Sequence, residues 1–524
     1  MAESISTKYR KYILIFILAI AVVCLPIFIQ KAPRIPHKLS QVAQRVEKFI
    51  RWDLNPGETV AVDRETKTSQ LPKLRSNLAT GPLQVSIDNP RYFVDSSTGK
   101  IVYLTGSHTW TNLQDAGNSD PPPKFDYPAH LNFLEANNHN FFRLWTWEQS
   151  RWTLETTDNN YWIEPSPYLR TDFGFANDGK PKYDLTKYNQ AYFDRLRDRV
   201  AEAASQGFYV SVMLFDGWSV SKEKGGLNKN NPWRSHPFNA ANNINAINGD
   251  LNHDNSGEET HTLAISKITT IQEAYIRRVI DTVNDFDNVL YEISNESQAG
   301  SHDWQYHLID YIKNYEHSKP KQHPVGMTAE FPGGDNSMLF DSPADWISPL
   351  GDVNNRPVAD GSKVILADTD HLCGICGDRS WVWQSFLRGE NPIFMDVYNG
   401  AAYGQGAVDS NPKDSTWVSL RKNLGYTLTY ANRMNLSAMK PYPDLASSGY
   451  CLANLVNSHA EYLVYVPSGG KVTVDFSAVQ GEITGEWLNP DNGLITTGIT
   501  TKGGDNRSFI APFEGDAILY LKSS

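Results

Sequence analysis

Eight short apolar runs, separated by polar and amphipathic stretches, constrain the fold of this 524-residue chain more than any other sequence feature. Many of the stretches between them have apolar residues at helical spacing, as in residues 271–286. Strands that alternate with helices lie parallel, and eight such units predict a closed (β/α)8 barrel, an α/β fold of the TIM-barrel type. The connection from the fifth run to the sixth lacks a clear helical pattern. The runs occupy 101–110, 141–148, 208–218, 289–296, 323–331, 345–350, 363–370 and 391–398.

The sequence pattern changes near residue 440, which indicates a second domain. Short strand-like runs alternate there with Gly, Pro and Asn turns, and no helical pattern separates them. This pattern is typical of a small all-β sandwich. We therefore predict a barrel over residues 82–438 and a β-sandwich domain over 439–524, a division that suits the length of the chain.

The N-terminal region carries an apolar segment at residues 12–29, preceded by Lys8, Arg10 and Lys11. This segment is at the short end for a membrane-spanning helix, and no small-residue cleavage motif follows it. We predict a signal anchor within residues 1–30 and a polar stalk over 31–81. Basic residues flank the segment on both sides, so their distribution does not orient it.

Charge and cysteine content narrow the range of partners. The formal net charge of −11 argues against a nucleic-acid partner. Cys373 and Cys376 form one CxxC motif, which cannot complete a four-ligand zinc site and predicts either a disulfide or free thiols. The sequence predicts no metal and no cofactor. The 14 Trp and 25 Tyr would suit sugar stacking, but they are equally typical of a large barrel.

The residues that end the predicted strands are the candidates for a functional site, because catalytic groups of such barrels lie at the carboxyl ends of strands. These positions bring acids, an arginine, two histidines and several tryptophans to one end of the barrel. They are His108, Trp110, Arg143, Trp145, Asp216, Trp218, Asn295, Glu296, Glu330, Asp368, Asp370, His371 and Tyr398.

Two of these acidic positions face each other across the barrel mouth, on strands four and seven. Glycoside hydrolysis needs two carboxyl groups, one as acid and one as nucleophile or base. Glu296 is the first candidate for the acid/base, and Asn295 could bind a sugar 2-hydroxyl. Asp368 and Asp370 have the same parity along a strand, so alternation does not choose between them. Arg143 would keep a strand-seven carboxylate ionised.

Several candidates have structural interpretations as well. Glu292 is expected to be a buried structural acid, and Asp396 could brace the barrel mouth. Glu330 could contact substrate or form a salt bridge. The histidines could be satisfied side chains at the rim of the core. The tryptophans could serve packing as well as sugar binding, except Trp110, Trp145 and Trp218, which fall at strand ends and are expected to bind sugar.

The arrangement of Arg143, Asn295, Glu296 and an acidic strand-seven end resembles glycoside hydrolase clan A. Residues 89–110 and 183–218, and ILADTDHL (365–372) followed by MDVY (395–398), are similar to the apiosidase-like, cellulase-like bacterial barrel family. The C-terminal segment is similar to the collagen-binding-type domain of the same proteins, and the resemblance covers about residues 82–522.

The resemblance implies a retaining glycosidase with Glu296 as acid/base and a strand-seven carboxylate as nucleophile. The sequence departs from the clan in having Asp368 and Asp370 where the nucleophile is usually Glu. Matching KVILAD to the clan pattern places Asp368 at the nucleophile position.

The predicted function is hydrolysis of an O-glycosidic bond in an extracellular oligo- or polysaccharide, with the catalytic domain outside the cytoplasm and held at a membrane by the N-terminal segment. The alternative is a glycan-binding barrel without activity. The distance between the two carboxyl groups separates mechanisms, at roughly 5–5.5 Å for retention and roughly 6.5–9.5 Å for inversion. The long insertion at about 219–260 is expected to shape the substrate site.

Overall fold

The computed structural model describes residues 47–61, 67–74, 78–154, 160–222, 224, 228–353, 356–398 and 411–523. The predicted signal anchor at residues 12–29 lies outside these ranges, as does Cys24. Within the described ranges, no helix combines the length and apolar character that crossing a membrane requires.

A nearly closed ring of eight parallel strands confirms the predicted barrel. Each strand falls inside one of the eight apolar runs. Strands β1 to β8 are Gly106–His108, Phe141–Leu144, Tyr209–Asp216, Val289–Asn295, Val325–Thr328, Trp346–Ser348, Val364–Asp368 and Asn391–Met395. From β2 to β8 each strand pairs with the next in chain order, and β8 pairs with β1. Between β1 and β2 the ring is bridged by the Asn140 N–H, which donates to the Thr105 carbonyl at 3.0 Å.

Crossover helices cover the outside of the ring, and the longer ones bury apolar side chains in the main core. Helix Ser266–Val283 places Ile276, Val279, Ile280 and Val283 in the main core, at the spacing expected for one helix face. The helix between β5 and β6 has one turn, in keeping with the weak pattern there, and residues 349–353 and 356–363 before β7 contain none. Helices α1 to α8 are Tyr127–Ala136, Gln190–Ser205, Gly217–Val220, Ser266–Val283, His302–Glu316, Ser337–Phe340, Arg379–Leu387 and Ser415–Arg433.

Additional β structure lies in the loops that follow β1, β2 and β3, on the carboxyl side of the barrel. A four-stranded sheet contains Asp115–Gly117, Arg151–Leu154, Asn160–Glu164 and Asn228–Asn230. A hairpin of Tyr168–Phe175 and Pro181–Tyr188 follows. Short 3-10 helices at Pro232–Ser235 and Glu258–His261 belong to the insertion after β3. At the opposite end, Leu83–Val85, Phe93–Asp95 and Ile101–Val102 form a small sheet.

The C-terminal region forms two further β-sheets, of seven and three strands. Side chains of α7 and α8, among them Trp383 and Leu428, share one core with Leu463 and Ile518 of the larger sheet. The strands from this region are Lys440–Pro441, Cys451–Asn454, Glu461–Val466, Lys471–Asp475, Glu482–Asn489, Leu494–Lys502, Asn506–Ile510 and Ala517–Ser523.

Two strands from the predicted stalk complete these C-terminal sheets. Glu58–Val60 pairs in parallel with Asn506–Ile510, and Thr68–Gln70 pairs antiparallel with Leu494–Lys502. Gly57 has a φ of +63°, and a Cβ there would lie 1.8 Å from the Asn506 carbonyl oxygen, so this approach requires glycine. The domain bounds 82–438 and 439–524 stay predictions, but residues 58–60 and 68–70 are part of the C-terminal sheets.

Candidate active site

Arg143 lies on β2 at the centre of the site and joins the ends of three strands. Its Nε donates to Glu292 Oε2 at 3.0 Å, and its Nη1 donates to Asp368 Oδ2 at 2.9 Å and Asp370 Oδ2 at 3.2 Å. Its Nη2 donates to Glu292 and, at 2.7 Å, to Asn295 Oδ1. The guanidinium is 1% exposed. Burial alone would lower the pKa of Arg143, but the charges of Glu292 and Asp368 outweigh it and raise the pKa.

We expect Arg143→Ala to destabilise the protein by about 3–5 kcal/mol, because it leaves the buried carboxylates of Glu292 and Asp368 without their cationic partner. Denaturant unfolding of the full chain measures this change. The matched control is Arg197→Ala, which removes an exposed ion pair with Asp285 and should cost about 1 kcal/mol or less. Equal losses in the two variants would contradict the central structural role of Arg143.

Asp368 is the last residue of β7, and both of its carboxylate oxygens are occupied. Oδ1 accepts from the Asp370 backbone N–H at 3.0 Å, and Oδ2 accepts from Arg143 and, at 2.9 Å, from His108 Nε2. The side chain is 0% exposed. Burial would raise the pKa of Asp368, but His108 and then Arg143 outweigh it and hold the pKa below its usual range.

Asp370 lies beyond the end of β7, in a 3-10 turn over Thr369–His371 that the Asp368 side chain caps. The expected strand parity of Asp368 and Asp370 is therefore wrong, because the strand ends at Asp368. The Asp370 side chain is 11% exposed and, among the described residues, accepts one hydrogen bond, from Arg143. Burial raises the pKa of Asp370, and the neighbouring charges of Glu296 and Asp368 add to this rise.

Glu296 follows directly after β4 and has a φ of +43°, in the left-handed region. This conformation is uncommon for a residue with a Cβ and is found at functional sites. Trp218 Nε1 donates to Glu296 Oε2 at 2.8 Å. Burial raises the pKa of Glu296, although Lys224 and this hydrogen bond act in the opposite direction. Carboxyl oxygens of Glu296 and Asp370 come within 4.8 Å of each other.

A buried chain of hydrogen bonds fixes Asn295 beside these carboxyl groups. His371 Nε2 lies 3.1 Å from Asn295 Oδ1, and His371 Nδ1 lies 2.7 Å from Ser348 Oγ. Burial lowers the pKa of His371 to about 3, so the ring is neutral at pH 7. The neutral ring therefore donates from Nε2 to Asn295 and accepts from Ser348.

Glu148, His236 and His261 form a second cluster, which the sequence analysis missed. Glu148 accepts from His236 Nε2 at 3.2 Å, His261 Nε2 at 3.1 Å and the Asp216 backbone N–H at 2.9 Å. Burial would raise the pKa of Glu148, but His261 and His236 lower it to about 2. The histidines come from or just beyond the insertion after β3, whose length was the one sequence signal for them.

Asp216, the last residue of β3, is completely buried rather than open to the mouth. It caps α3 by accepting from the Ser219 N–H at 2.9 Å and the Ser219 hydroxyl at 2.8 Å. Burial raises the pKa of Asp216 to about 7, against the opposing charge of Lys224. Asp216 therefore supports the start of α3, next to Trp218.

Tryptophans form an apolar cluster around the site. Trp145 is buried under Arg143, whose Cζ lies 4.8 Å from the centroid of the Trp145 ring, and this ring stacks on His108. Trp147 Nε1 donates to the Trp110 carbonyl at 2.6 Å. Trp110 and Trp145 therefore serve packing, while the half-buried Trp218 contacts Glu296 directly.

Two predicted site residues lie outside the cluster. Glu330 accepts from the Gly300 N–H at 3.2 Å and the Ser301 hydroxyl at 3.1 Å, so it braces the loop after β4. Tyr398 packs its ring against His130 and Phe133 of α1. Among the residues with structural interpretations, Asp396 pairs with Arg421, and Glu292 is buried against Arg143.

Two features near β7 concern metal binding and the CxxC motif. Glu296, Asp370 and His371 each offer a ligand atom within 4.8 Å of the others, which is a possible cation site by distance. Both ring nitrogens of His371 already take part in hydrogen bonds, so metal binding would break the chain of hydrogen bonds to Asn295.

Cys373 and Cys376 form a disulfide in the loop after the 3-10 turn, which decides between the disulfide and the free thiols that the sequence allowed.

Comparison with known proteins places this fold among solved barrel structures. A crystal structure of a glycoside hydrolase family 5 protein from Bacteroides vulgatus aligns with 84% of this chain and 94% of its own, at 14% identity and a TM-score of 0.54. A structure described as a glycoside hydrolase aligns with 86% of this chain and 99% of its own, at 12% identity and a TM-score of 0.53. At such identities the likeness concerns the fold alone.

Comparison of the sequence with protein-family models gives a match over a smaller part of the chain. Residues 154–342 match a family model described as a domain of unknown function, DUF6298. No curated protein matches the sequence. The matched residues run from β structure after β2 to the end of α6, and they include Asn295 and Glu296.

Proposed function

We propose that this protein is a retaining glycoside hydrolase in which Glu296 is the general acid/base and Asp370 is the nucleophile. The observation that carries the proposal is the approach of the Glu296 and Asp370 carboxyl oxygens to within 4.8 Å, at the carboxyl ends of β4 and β7. Retaining enzymes hold their carboxyl groups roughly 5–5.5 Å apart, whereas inverting enzymes leave roughly 6.5–9.5 Å for a water molecule.

Asp370 suits the nucleophile role better than Asp368, which the match to the clan pattern favours. Asp368 is enclosed, and its two oxygens accept from His108, Arg143 and a backbone N–H. An attacking oxygen needs a free lone pair and access to the anomeric carbon. Asp370 is partly exposed and accepts a single hydrogen bond from the part of the chain that the structure describes, so it offers both the lone pair and the access.

The two halves of the reaction follow from this assignment. In the first, the Asp370 carboxylate bonds to the anomeric carbon while the glycosidic bond breaks, and the Glu296 proton goes to the leaving oxygen. In the second, Glu296 takes a proton from water, the water oxygen bonds to the anomeric carbon, and Asp370 leaves. Burial and the charges of Glu296 and Asp368 raise the pKa of Asp370, whereas Arg143 favours its ionised form. Burial also favours the protonated form of Glu296, and a protonated Glu296 no longer raises the pKa of Asp370, so we assign the proton of this pair to Glu296 before the first step.

The proposed substrate is an extracellular oligo- or polysaccharide. The half-buried Trp218 beside Glu296 supports a sugar ligand, because an indole offers an apolar face for the ring while its N–H holds the Glu296 carboxyl group. A location outside the cytoplasm, with the N-terminal segment holding the protein at a membrane, is part of the same proposal and rests on the apolar residues 12–29.

Product stereochemistry tests the proposal. We would screen the full chain in detergent for reducing-sugar release from plant and bacterial polysaccharides, then follow one cleaved substrate by proton NMR. The first sugar formed should keep the anomeric configuration of the substrate. An inverted product would exclude Asp370 as nucleophile. Glycan binding without release by the wild-type protein would instead favour a barrel that binds glycans and has no activity.

A further inference from the structure

Lys224 is a buried ammonium group at the site that neither the sequence analysis nor the assignment above uses. It lies in the loop after α3, is 3% exposed, and its Nζ has no hydrogen-bond partner among the described residues. An unpaired buried charge is costly, so proteins rarely keep one without a use for it. Burial lowers the pKa of Lys224, while the charges of Glu296 and Asp216 act in the opposite direction.

The Cβ position of Gly217 adjoins both this ammonium group and the backbone carbonyl of Glu296. A Cβ on Gly217 would lie 2.2 Å from the Glu296 carbonyl oxygen and 2.7 Å from Lys224 Nζ. Both atoms therefore pack against the first residue of α3, where only glycine fits. Among the charged groups that act on Glu296, Lys224 has the largest effect in favouring its ionised form.

The proposed reaction moves a negative charge across the site. Before the first half-reaction Asp370 is ionised and Glu296 is protonated. Afterwards Asp370 is a neutral ester, and Glu296 carries the charge. Arg143 is the cation at the starting point, and its N–H groups are committed to Glu292, Asp368, Asn295 and Asp370. The charge that forms on Glu296 needs a different cation. Lys224 lies near Glu296, and its ammonium group has no hydrogen-bond partner among the described residues.

We propose that Lys224 is a positioning residue whose ammonium group is the counter-ion of the Glu296 carboxylate that forms when the leaving oxygen is protonated. This inference rests on the proposed glycosidase function. It gives the buried ammonium a partner that exists only after proton transfer, so the interaction is stronger in the transition state than in the ground state. Lys224 then acts through Glu296 and need not touch the sugar.

The other groups around this pair determine what a test can measure. Glu296 is also faced by Trp218, Arg143, Asp368 and Asp370, and Lys224 is also faced by Asp216, Glu258 and Asp370. Replacing Lys224 by Met removes the positive charge and leaves these groups in place. The pKa of Glu296 should then rise, because the charge that lowers it is gone.

The experiment compares the wild-type full chain with Lys224→Met in the pH dependence of kcat/KM. The alkaline limb, which reports the acid in the free enzyme, should move to higher pH by about one unit. On a substrate with a poor leaving group kcat/KM should fall about tenfold at its optimum, and on an activated aryl glycoside it should fall less, because that leaving group needs little protonation. Lys222→Met is the matched control, since Lys222 Nζ donates to the Asp254 carbonyl at 2.8 Å on an exposed part of the same loop.

Three outcomes would contradict the proposed role of Lys224. An alkaline limb that stays in place in Lys224→Met, with a melting temperature near that of the wild type, would overturn the inference. Equal losses on poor and activated leaving groups would also overturn it, because they indicate a structural role alone. Absence of turnover by the wild-type protein on every substrate would instead overturn the proposed function, and the inference with it.

Discussion

Asp370→Ala should lower kcat by on the order of 10⁴-fold or more, because it removes the carboxylate that we propose forms the glycosyl-enzyme bond. Sodium azide should restore part of the activity by entering the vacated space and attacking the anomeric carbon. The product should be a glycosyl azide of inverted configuration, since only one displacement occurs. Rates with and without azide, together with NMR of the product, measure both effects.

Asp368→Ala is the control for this experiment. It should also lose activity, because Asp368 holds His108 and Arg143 in place, but azide should not rescue it. The space it vacates is fully enclosed and does not open toward the sugar. Rescue of Asp368→Ala and not of Asp370→Ala would return the nucleophile to the position that the match to the clan predicts.

Glu296→Gln should lower the rate on natural glycans by about 10²–10⁴-fold while leaving the fold intact. The amide keeps the shape of the side chain and can still accept from Trp218 Nε1, but it cannot protonate the leaving oxygen. Activated aryl glycosides should be cleaved with a smaller loss. Steady-state kinetics on both substrate types would show the difference.

Glu330→Gln provides a matched acid-to-amide control at the end of the next strand. Glu330 is buried like Glu296, but its partners are the Gly300 N–H and the Ser301 hydroxyl. Its loss should affect stability more than turnover. A natural-substrate rate that is unchanged in Glu296→Gln would remove Glu296 from the mechanism.

The barrel was predictable because each strand is a compact apolar run that lies between two layers. Strands β3 and β4 are buried on both faces over Tyr209–Asp216 and Val289–Asn295, so each is a nearly continuous apolar run in the sequence. The ends of β2 and β4 then identified Arg143, Asn295 and Glu296. Glu330 and Tyr398 were misplaced because β5 and β8 end earlier than their apolar runs, at Thr328 and Met395.

The choice between the strand-seven acids could not be made from sequence, because it depends on where the strand stops. Asp368 caps a 3-10 turn that carries Asp370 away from the strand direction. A period of two residues holds only inside the strand, so the expected parity fails beyond it. Contacts with Arg143 and Glu296, which come from strands far along the chain, then distinguish the two acids.

Other features depend on long-range contacts that leave no local pattern. Glu148 meets His236 and His261 across separations of 88 and 113 residues along the chain. Lys224 stands in a polar insertion where a lysine is expected to be solvated. The strands at residues 58–60 and 68–70 contain three residues each and are almost entirely exposed, so they show no apolar alternation.

The pairing of residues 58–60 and 68–70 with the C-terminal sheets decides how this protein can be cut into fragments. A recombinant fragment beginning at residue 82 would lose both of these strands and the ion pair between Arg51 and Asp475. Leu494–Lys502 and Asn506–Ile510 would then become open β edges, which recruit other chains and promote aggregation. Residues 47–81 therefore belong with any soluble fragment of this protein, although they precede the barrel and those of them that the structure describes contribute no residue to the candidate site.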